Sequence, residues 1–264
     1  LSETDYWPFL LRALKASGAK IAAVSGKLSD RSYRRLKPFP CIARWLYKDI
    51  DHFLLQTETD RDRFASLGIP RSKLDITGNL KLSLTPPPLD TPDAFLASLH
   101  LPSDRPIITI GSTHEGEEEL IIGALDLPNA TYLIVPRHPE RFARVKKAFA
   151  DRPDVRVVDQ MGILSHCYRI ADLAIVGGSF VPIGGHDILE PIRCGTPVLF
   201  GPYMEGQRSL LPIAASTEYA FQTTLGRLTA DGKQVLAHPP THTPSFPNIA
   251  AETWLRLKSR LSIL

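Results

Sequence analysis

After residue 88 the chain repeats one pattern: a short, almost wholly apolar run, then a segment with helical spacing, then another apolar run. The runs are residues 107–110, 132–135, 155–158, 173–176 and 197–200. A strand that is apolar along its whole length is covered on both faces. Strands separated by helices pair in parallel through right-handed crossovers. The pattern therefore predicts an α/β fold. Residues 21–24, 53–56 and 75–77 repeat the rhythm before residue 83.

Three consecutive prolines at 86–88 make the one clear linker, because a proline run is extended and offers no amide donors. The expected organisation is a rear part of one α/β domain over 1–83, a complete one over 84–245, and a final helix over 246–264. Ala250, Trp254, Leu257 and Leu261 mark that helix, and Trp7, Leu10, Leu11 and Leu14 give the first helix an apolar stripe. The sequence starts with Leu, already approaching a helix, so the chain is expected to be a piece of a longer protein.

Composition narrows the function classes. With 31 basic and 28 acidic residues the net charge is +3, too weak to argue for nucleic acid. The three cysteines, 41, 167 and 194, are too few and too scattered for a disulfide framework or a zinc site, which favours a reducing compartment. No run of about 18 apolar residues exists to span a bilayer.

In doubly wound sheets ligands sit outside the carboxyl ends of the strands. Four strand ends here carry glycine, hydroxyl, Arg or His: Gly111-Ser112-Thr113-His114, Pro136-Arg137-His138, Gly177-Gly178-Ser179 with Gly184-Gly185-His186-Asp187, and Gly201-Pro202-Tyr203. Each glycine alone is ordinary turn chemistry; the four together point to a binding edge. The 177–187 loop, followed by a helix bearing Glu190, suits a phosphate on free amides and a ribose diol on the carboxylate. Arg137 offers a planar fork for an anion. The four glutamates at 115 and 117–119 would repel a phosphate and are expected to cap their own helix. Asp60-Arg61-Asp62 has the form of a DxD metal motif, but it falls inside a helix and reads as a solvated face. His186 and Glu190 are four apart without a third ligand, so no metal is expected.

These residues resemble a known family. Gly177-Gly178-Ser179-Phe180, Gly184-Gly185-His186-Asp187-Ile188-Leu189-Glu190-Pro191 and Gly201-Pro202-Tyr203 are similar to the carboxyl-terminal signature of the bacterial 3-deoxy-D-manno-octulosonic acid (Kdo) transferases. Glu3-Thr4-Asp5-Tyr6-Trp7-Pro8, Lys27-Leu28-Ser29-Asp30-Arg31-Ser32, Gly78-Asn79-Leu80-Lys81, Gly111-Ser112-Thr113-His114 and Pro136-Arg137-His138-Pro139-Glu140-Arg141-Phe142 resemble family motifs in the same order. Lys27 stands where the family usually has Arg, and Asp187 where it usually has Asn.

The resemblance implies a GT-B fold of two Rossmann-like domains, the first incomplete here, with the last helix packing back on it. It implies inverting transfer of Kdo from CMP-Kdo to a lipid A precursor, without a cofactor or metal. The full-length protein would be peripheral to the membrane, at the cytoplasmic face of the inner membrane. By the same resemblance Gly111, Ser112, Thr113, Arg137, His138, Gly178, Ser179, Gly185, His186, Asp187 and Glu190 lie around CMP. Lys27, Ser29, Arg31, Asn79 and Lys81 face Kdo or acceptor. The family's catalytic base is expected before Leu1, with Glu3 a second candidate acid. Two other readings stay open: a UDP-sugar-using GT-B transferase or epimerase, and a non-catalytic nucleotide-binding module.

Overall fold

The computed structural model describes residues 1–2, 6–242 and 244–261. The chain divides into two compact units, 1–84 with 246–264, and 85–245.

In the first unit, β1 (Ala22–Gly26), β2 (His52–Leu55) and β3 (Leu74–Ile76) form a parallel sheet in that order. Phe53, Leu54 and Leu55 are wholly buried in it. The helix Pro8–Ala16 starts at a proline, where a missing amide costs nothing. Its expected apolar stripe is only partly covered. Leu11 is buried, whereas Trp7, Leu10 and Leu14 are exposed.

The carboxyl-terminal helix Ile249–Leu261 clusters with this first unit. It buries Ile249, Thr253 and Leu261, while Trp254, expected on the packed face, is exposed. Hydrogen bonds fix it at both ends: Ser83 Oγ accepts from the Ala250 amide, and Arg260 grips Asp75 with two bonds of 2.7 and 2.8 Å.

In the second unit, β4 (Ile107–Thr113), β5 (Thr131–Pro136), β6 (Val155–Val157), β7 (Leu173–Val176), β8 (Val198–Phe200) and β9 (Ala220–Gln222) form one sheet, ordered β6-β5-β4-β7-β8-β9. Every pairing is parallel. Ile108, Ile110, Ile134 and Ile175 pack into the core on one face, and Ile107, Leu133 and Val135 into the core on the other. This two-sided burial is why the strands are apolar throughout. The chain runs outward to β5 and β6, then returns to β7 and proceeds the other way. The switch point therefore lies between β4 and β7, whose carboxyl ends open the crevice where such sheets take ligands.

β4 extends further than its apolar run, through Gly111, Ser112 and Thr113. Ser112 sits at φ 58°, and the register with β5 shifts between Gly111 and Thr113. One residue in the left-handed region absorbs the extra length and lets Thr113 pair again. β1 repeats this device: Ser25 has φ 51° and the register shifts between Ala23 and Gly26.

Candidate functional site

The switch-point crevice of the second unit is organised by a carboxylate. Glu117 is fully buried at the start of the helix Glu117–Ala124. It accepts hydrogen bonds from the backbone N–H of His114 (3.1 Å), Gly178 (2.7 Å) and Phe180 (3.0 Å). Glu118, almost as buried, accepts from Thr113 Oγ1 (2.7 Å) and pairs with Arg141 (2.8 Å), which also bonds the Thr113 carbonyl. These glutamates do more than cap their own helix: they tie the β4 loop to the β7 loop and to the segment after β5.

That arrangement changes the part played by several residues expected to touch a phosphate. The Gly178 and Phe180 amides already face Glu117, so an anion there would meet a buried negative charge. Ser179 is fully buried; its Oγ donates to Val176 O and accepts from the Gly201 amide. Thr113 is buried on Glu118. Gly111 backs onto the tip of Tyr168, whose hydroxyl lies 2.2 Å from where a Cβ would stand. The helix after the loop, Leu189–Arg193, has five residues, and Asp187 accepts its first amide at 2.9 Å. A carboxylate cap takes the place of the expected phosphate there.

The groups that do face the crevice are His114, His138, His186, Arg137 and Glu190. His114 Nε2 and His186 Nε2 are 2.7 Å apart, with their ring planes parallel. The His138 ring lies 5.5 Å from His114, centroid to centroid. Both paired rings lie against Gly178, at φ 66°: a Cβ there would fall 2.9 Å from His186 Cδ2. Burial holds His114 below the ordinary histidine value, opposed by Glu117 and reinforced by His138, Arg141 and Arg137.

Glu190 is half-buried, and its carboxylate makes no hydrogen bond among the described residues. Burial raises its pKa, as does Asp187, while Arg193 and Arg137 oppose the shift. Arg137 is exposed, and its charge acts on both Glu190 and His114. Burial and then the Glu190 charge push the Tyr168 phenol well above its usual value. Tyr168 thus lies on the floor between Gly111 and Glu190. Among the described residues, no group of three or more His, Cys, Asp or Glu side chains is arranged to hold a metal ion.

In the first unit the carboxyl ends of the strands carry a separate polar network. Gln56 Nε2 donates to the Ser25 carbonyl (2.9 Å), and Asn79 Nδ2 donates to Gln56 Oε1 (3.3 Å). Ser25 Oγ accepts from the Leu80 amide, and Asn79 Oδ1 from the Lys81 amide. Asn79 and Lys81 are therefore fixed around Ser25, and Lys27 follows directly on Gly26. Ser29 caps the helix Asp30–Leu36, which carries Arg31 exposed. Asp60 is not a solvated face. It is buried, accepts from the Leu28 amide at 2.8 Å and holds the loop after β1. Glu3 lies outside the described residues.

The sequence places His114 on the binding edge without giving it a role, and it does not single out Glu117 or Tyr168 as site residues. His114 and Glu117 sit in or beside a quoted motif, but their partners are 72 and 61 residues away. No local spacing reveals such pairs.

Residues 1–84 match the family model described as 3-deoxy-D-manno-octulosonic-acid transferase (kdotransferase). A 3-deoxy-D-manno-octulosonic acid transferase of Chlamydia pneumoniae is 34% identical over 232 residues, covering 79% of this chain and 53% of that protein. This chain is similar to the Kdo transferases. A bifunctional glycosyltransferase/methyltransferase of Fusobacterium nucleatum is 32% identical over 78% of this chain and 35% of its own length. The chain thus spans about half, or less, of these relatives. Among solved structures, the C-terminal CMP-Kdo binding domain of WaaA from Acinetobacter baumannii matches at TM-score 0.51 and 25% identity, over 64% of this chain and 96% of that one. The UDP-GlcNAc 2-epimerase of Methanocaldococcus jannaschii matches at TM-score 0.62 over 94% of this chain and 72% of that one; at 13% identity it speaks to fold alone. The fold class is the expected one: α/β, GT-B type, with Rossmann-like parallel sheets.

Proposed function

We propose that this chain carries the donor-binding machinery of an inverting glycosyltransferase that moves Kdo from CMP-Kdo to a lipid A precursor in lipopolysaccharide biosynthesis. The observation that carries the reading is Glu190, a half-buried carboxylate at the switch-point edge with no hydrogen-bond partner among the described residues and Arg137 within electrostatic reach. A ribose diol supplies two O–H donors for such an acceptor. Arg137, His138 and His186 meet the single phosphate of the nucleotide. In the reaction a base takes the proton of a sugar hydroxyl of the acceptor, that oxygen bonds to the anomeric carbon of Kdo, and CMP departs with the electron pair of the broken bond.

The likeness to the CMP-Kdo binding domain supports the choice of CMP. Lys27, Ser29, Arg31, Asn79 and Lys81 take the Kdo and acceptor side. The lipid acceptor puts the reaction at a membrane surface, and we place it at the cytoplasmic face of the inner membrane. No helix among the described residues is long and apolar enough to cross a membrane. Peripheral contact is supported by exposed Trp7, Phe9, Phe39 and Trp45, with Arg12 stacked 4.3 Å from the Trp45 ring centroid.

Calorimetry with CMP and UDP tests the reading. CMP is expected to bind more tightly, and a preference for UDP overturns the Kdo donor in favour of a UDP-sugar enzyme. Transfer of radiolabelled Kdo from CMP-Kdo to a lipid A precursor, with the protein from its full reading frame, tests the activity.

A further inference from the structure

His114 and His186 are joined by Nε2 atoms 2.7 Å apart. At that distance one ring must bring a proton and the other a lone pair, because two N–H groups or two lone pairs would repel. The pair therefore has two well-formed states. In the neutral state one proton lies between the rings and the accepting ring keeps its own at Nδ1. One further proton enters at Nδ1 of the ring that donates, giving one imidazolium bonded to one neutral imidazole. Yet another would place two N–H groups face to face and break the bond.

The surroundings favour the neutral form of His114. Burial is the largest influence on His114, and the charges of His138, Arg141 and Arg137 act in the same direction. Glu117 opposes them from the helix Glu117–Ala124, with its carboxylate engaged by three amides. On the His186 side, the neighbouring Asp187 is engaged with the Leu189 amide and Arg193. The loop after β7, which carries His186, offers no free amides at Gly178 or Phe180 for an anion.

We propose that His114 and His186 act as a one-proton anion receptor: a phosphoryl oxygen entering the crevice beside Arg137 draws one proton from solvent onto the pair. His114 is then a binding residue, and nucleotide affinity is linked to pH. The inference rests on the nucleotide reading of this edge. The sign follows from linkage: uptake of one proton on binding makes affinity fall as pH rises, at most about tenfold per pH unit.

The probe is cytidine 5′-phosphate methyl ester. Its diester carries one charge and does not titrate between pH 6 and 8, whereas a monoester phosphate ionises near pH 6. Calorimetry in buffers of different ionisation enthalpy counts the protons. The wild-type chain is expected to take up close to one proton per probe bound at neutral pH, and His114→Gln/His186→Gln to take up none. Nitrogen-15 NMR of the wild-type rings provides a readout independent of the variant. Adding probe at pH 7 should shift the His114 and His186 signals together by the equivalent of one imidazolium charge shared between the two rings. The uridine diester binding in preference with the same uptake sustains the receptor and sinks the cytidine donor. Binding without proton uptake, uptake that survives in the double variant, or no binding of either diester overturns the proposal.

Discussion

Glu117 accepts the Gly178 amide at 2.7 Å across 61 residues of sequence, joining the loop after β4 to the loop after β7. The same carboxylate takes the His114 and Phe180 amides, so one buried charge sets the spacing of the two loops that form the crevice. Glu117→Ala would leave three amides unpaired and remove the charge they stabilise. Hydrogen bonds to a charged group contribute about 1.5–3 kcal/mol each, and an unmet buried donor costs about 1–3 kcal/mol. The second unit is expected to lose at least about 3 kcal/mol in urea unfolding. Glu117→Gln should recover only part of it, since one end of the amide donates where the loop needs an acceptor. A change below about 0.5 kcal/mol would show that the loops hold their spacing without the carboxylate.

Gly201 marks the second constraint on this edge. A Cβ there would stand 2.2 Å from the Ser179 carbonyl oxygen and 2.6 Å from its carbon. Backbone cannot swing aside as a side-chain tip can. The Gly201 amide also holds the Ser179 hydroxyl at 2.8 Å, so the β7 and β8 loops close on each other here. Gly201→Ala is expected to lower thermal stability by several degrees and weaken nucleotide binding together. A variant with wild-type melting and wild-type affinity would contradict the close approach.

Much of the fold was legible because a two-sided parallel sheet writes itself as apolar runs. Residues 107–110 and 173–176 are buried throughout, and both runs became strands. β9 was not legible: Ala220, Phe221 and Gln222 form a three-residue edge strand in which only Phe221 packs, half-buried, against the core, too little to leave a pattern. Helix faces were read less well. In the last helix the packed face is offset to Thr253, leaving Trp254 outside, because a stripe of large apolar residues does not by itself state which neighbour it meets. At the crevice, chemistry-bearing residue types were visible as strand-end motifs. Their roles were not, since whether Gly178 presents its amide to a ligand or to Glu117 is decided by a helix from elsewhere in the chain.

Ile249 is the anchor of the carboxyl-terminal helix. It is buried, and its side chain lies over Gly78, with Cδ1 3.0 Å from where a Cβ would be. Truncating a buried Ile to Ala typically costs about 2–5 kcal/mol. Here that loss falls on one helix packed on a small sheet. Ile249→Ala should therefore speed amide hydrogen exchange along Ile249–Leu261 by at least tenfold, with exchange in β4 and β7 unchanged. Equal acceleration in both units would show that they open together rather than as separate cooperative elements.

Glu190 should show opposite effects on stability and on binding. Burial and the neighbouring Asp187 raise its folded-state pKa above the ordinary glutamate value. A carboxyl group whose pKa is raised on folding binds its proton more tightly when folded, so its ionised form disfavours the folded chain. That penalty is fully present above the raised pKa and vanishes as pH falls below the unfolded value of about 4.3. Glu190→Gln removes the charge and keeps the shape. The free variant should melt above wild type at pH 7, and the gain should shrink as the pH is lowered toward 4. For the nucleotide the sign reverses. A charged acceptor for a ribose hydroxyl contributes about 1.5–3 kcal/mol and a neutral one about half that, so CMP should bind roughly three- to tenfold more weakly to Glu190→Gln. A variant that is less stable at pH 7 and binds CMP as well as wild type would mark Glu190 as a structural residue and remove it from the donor site.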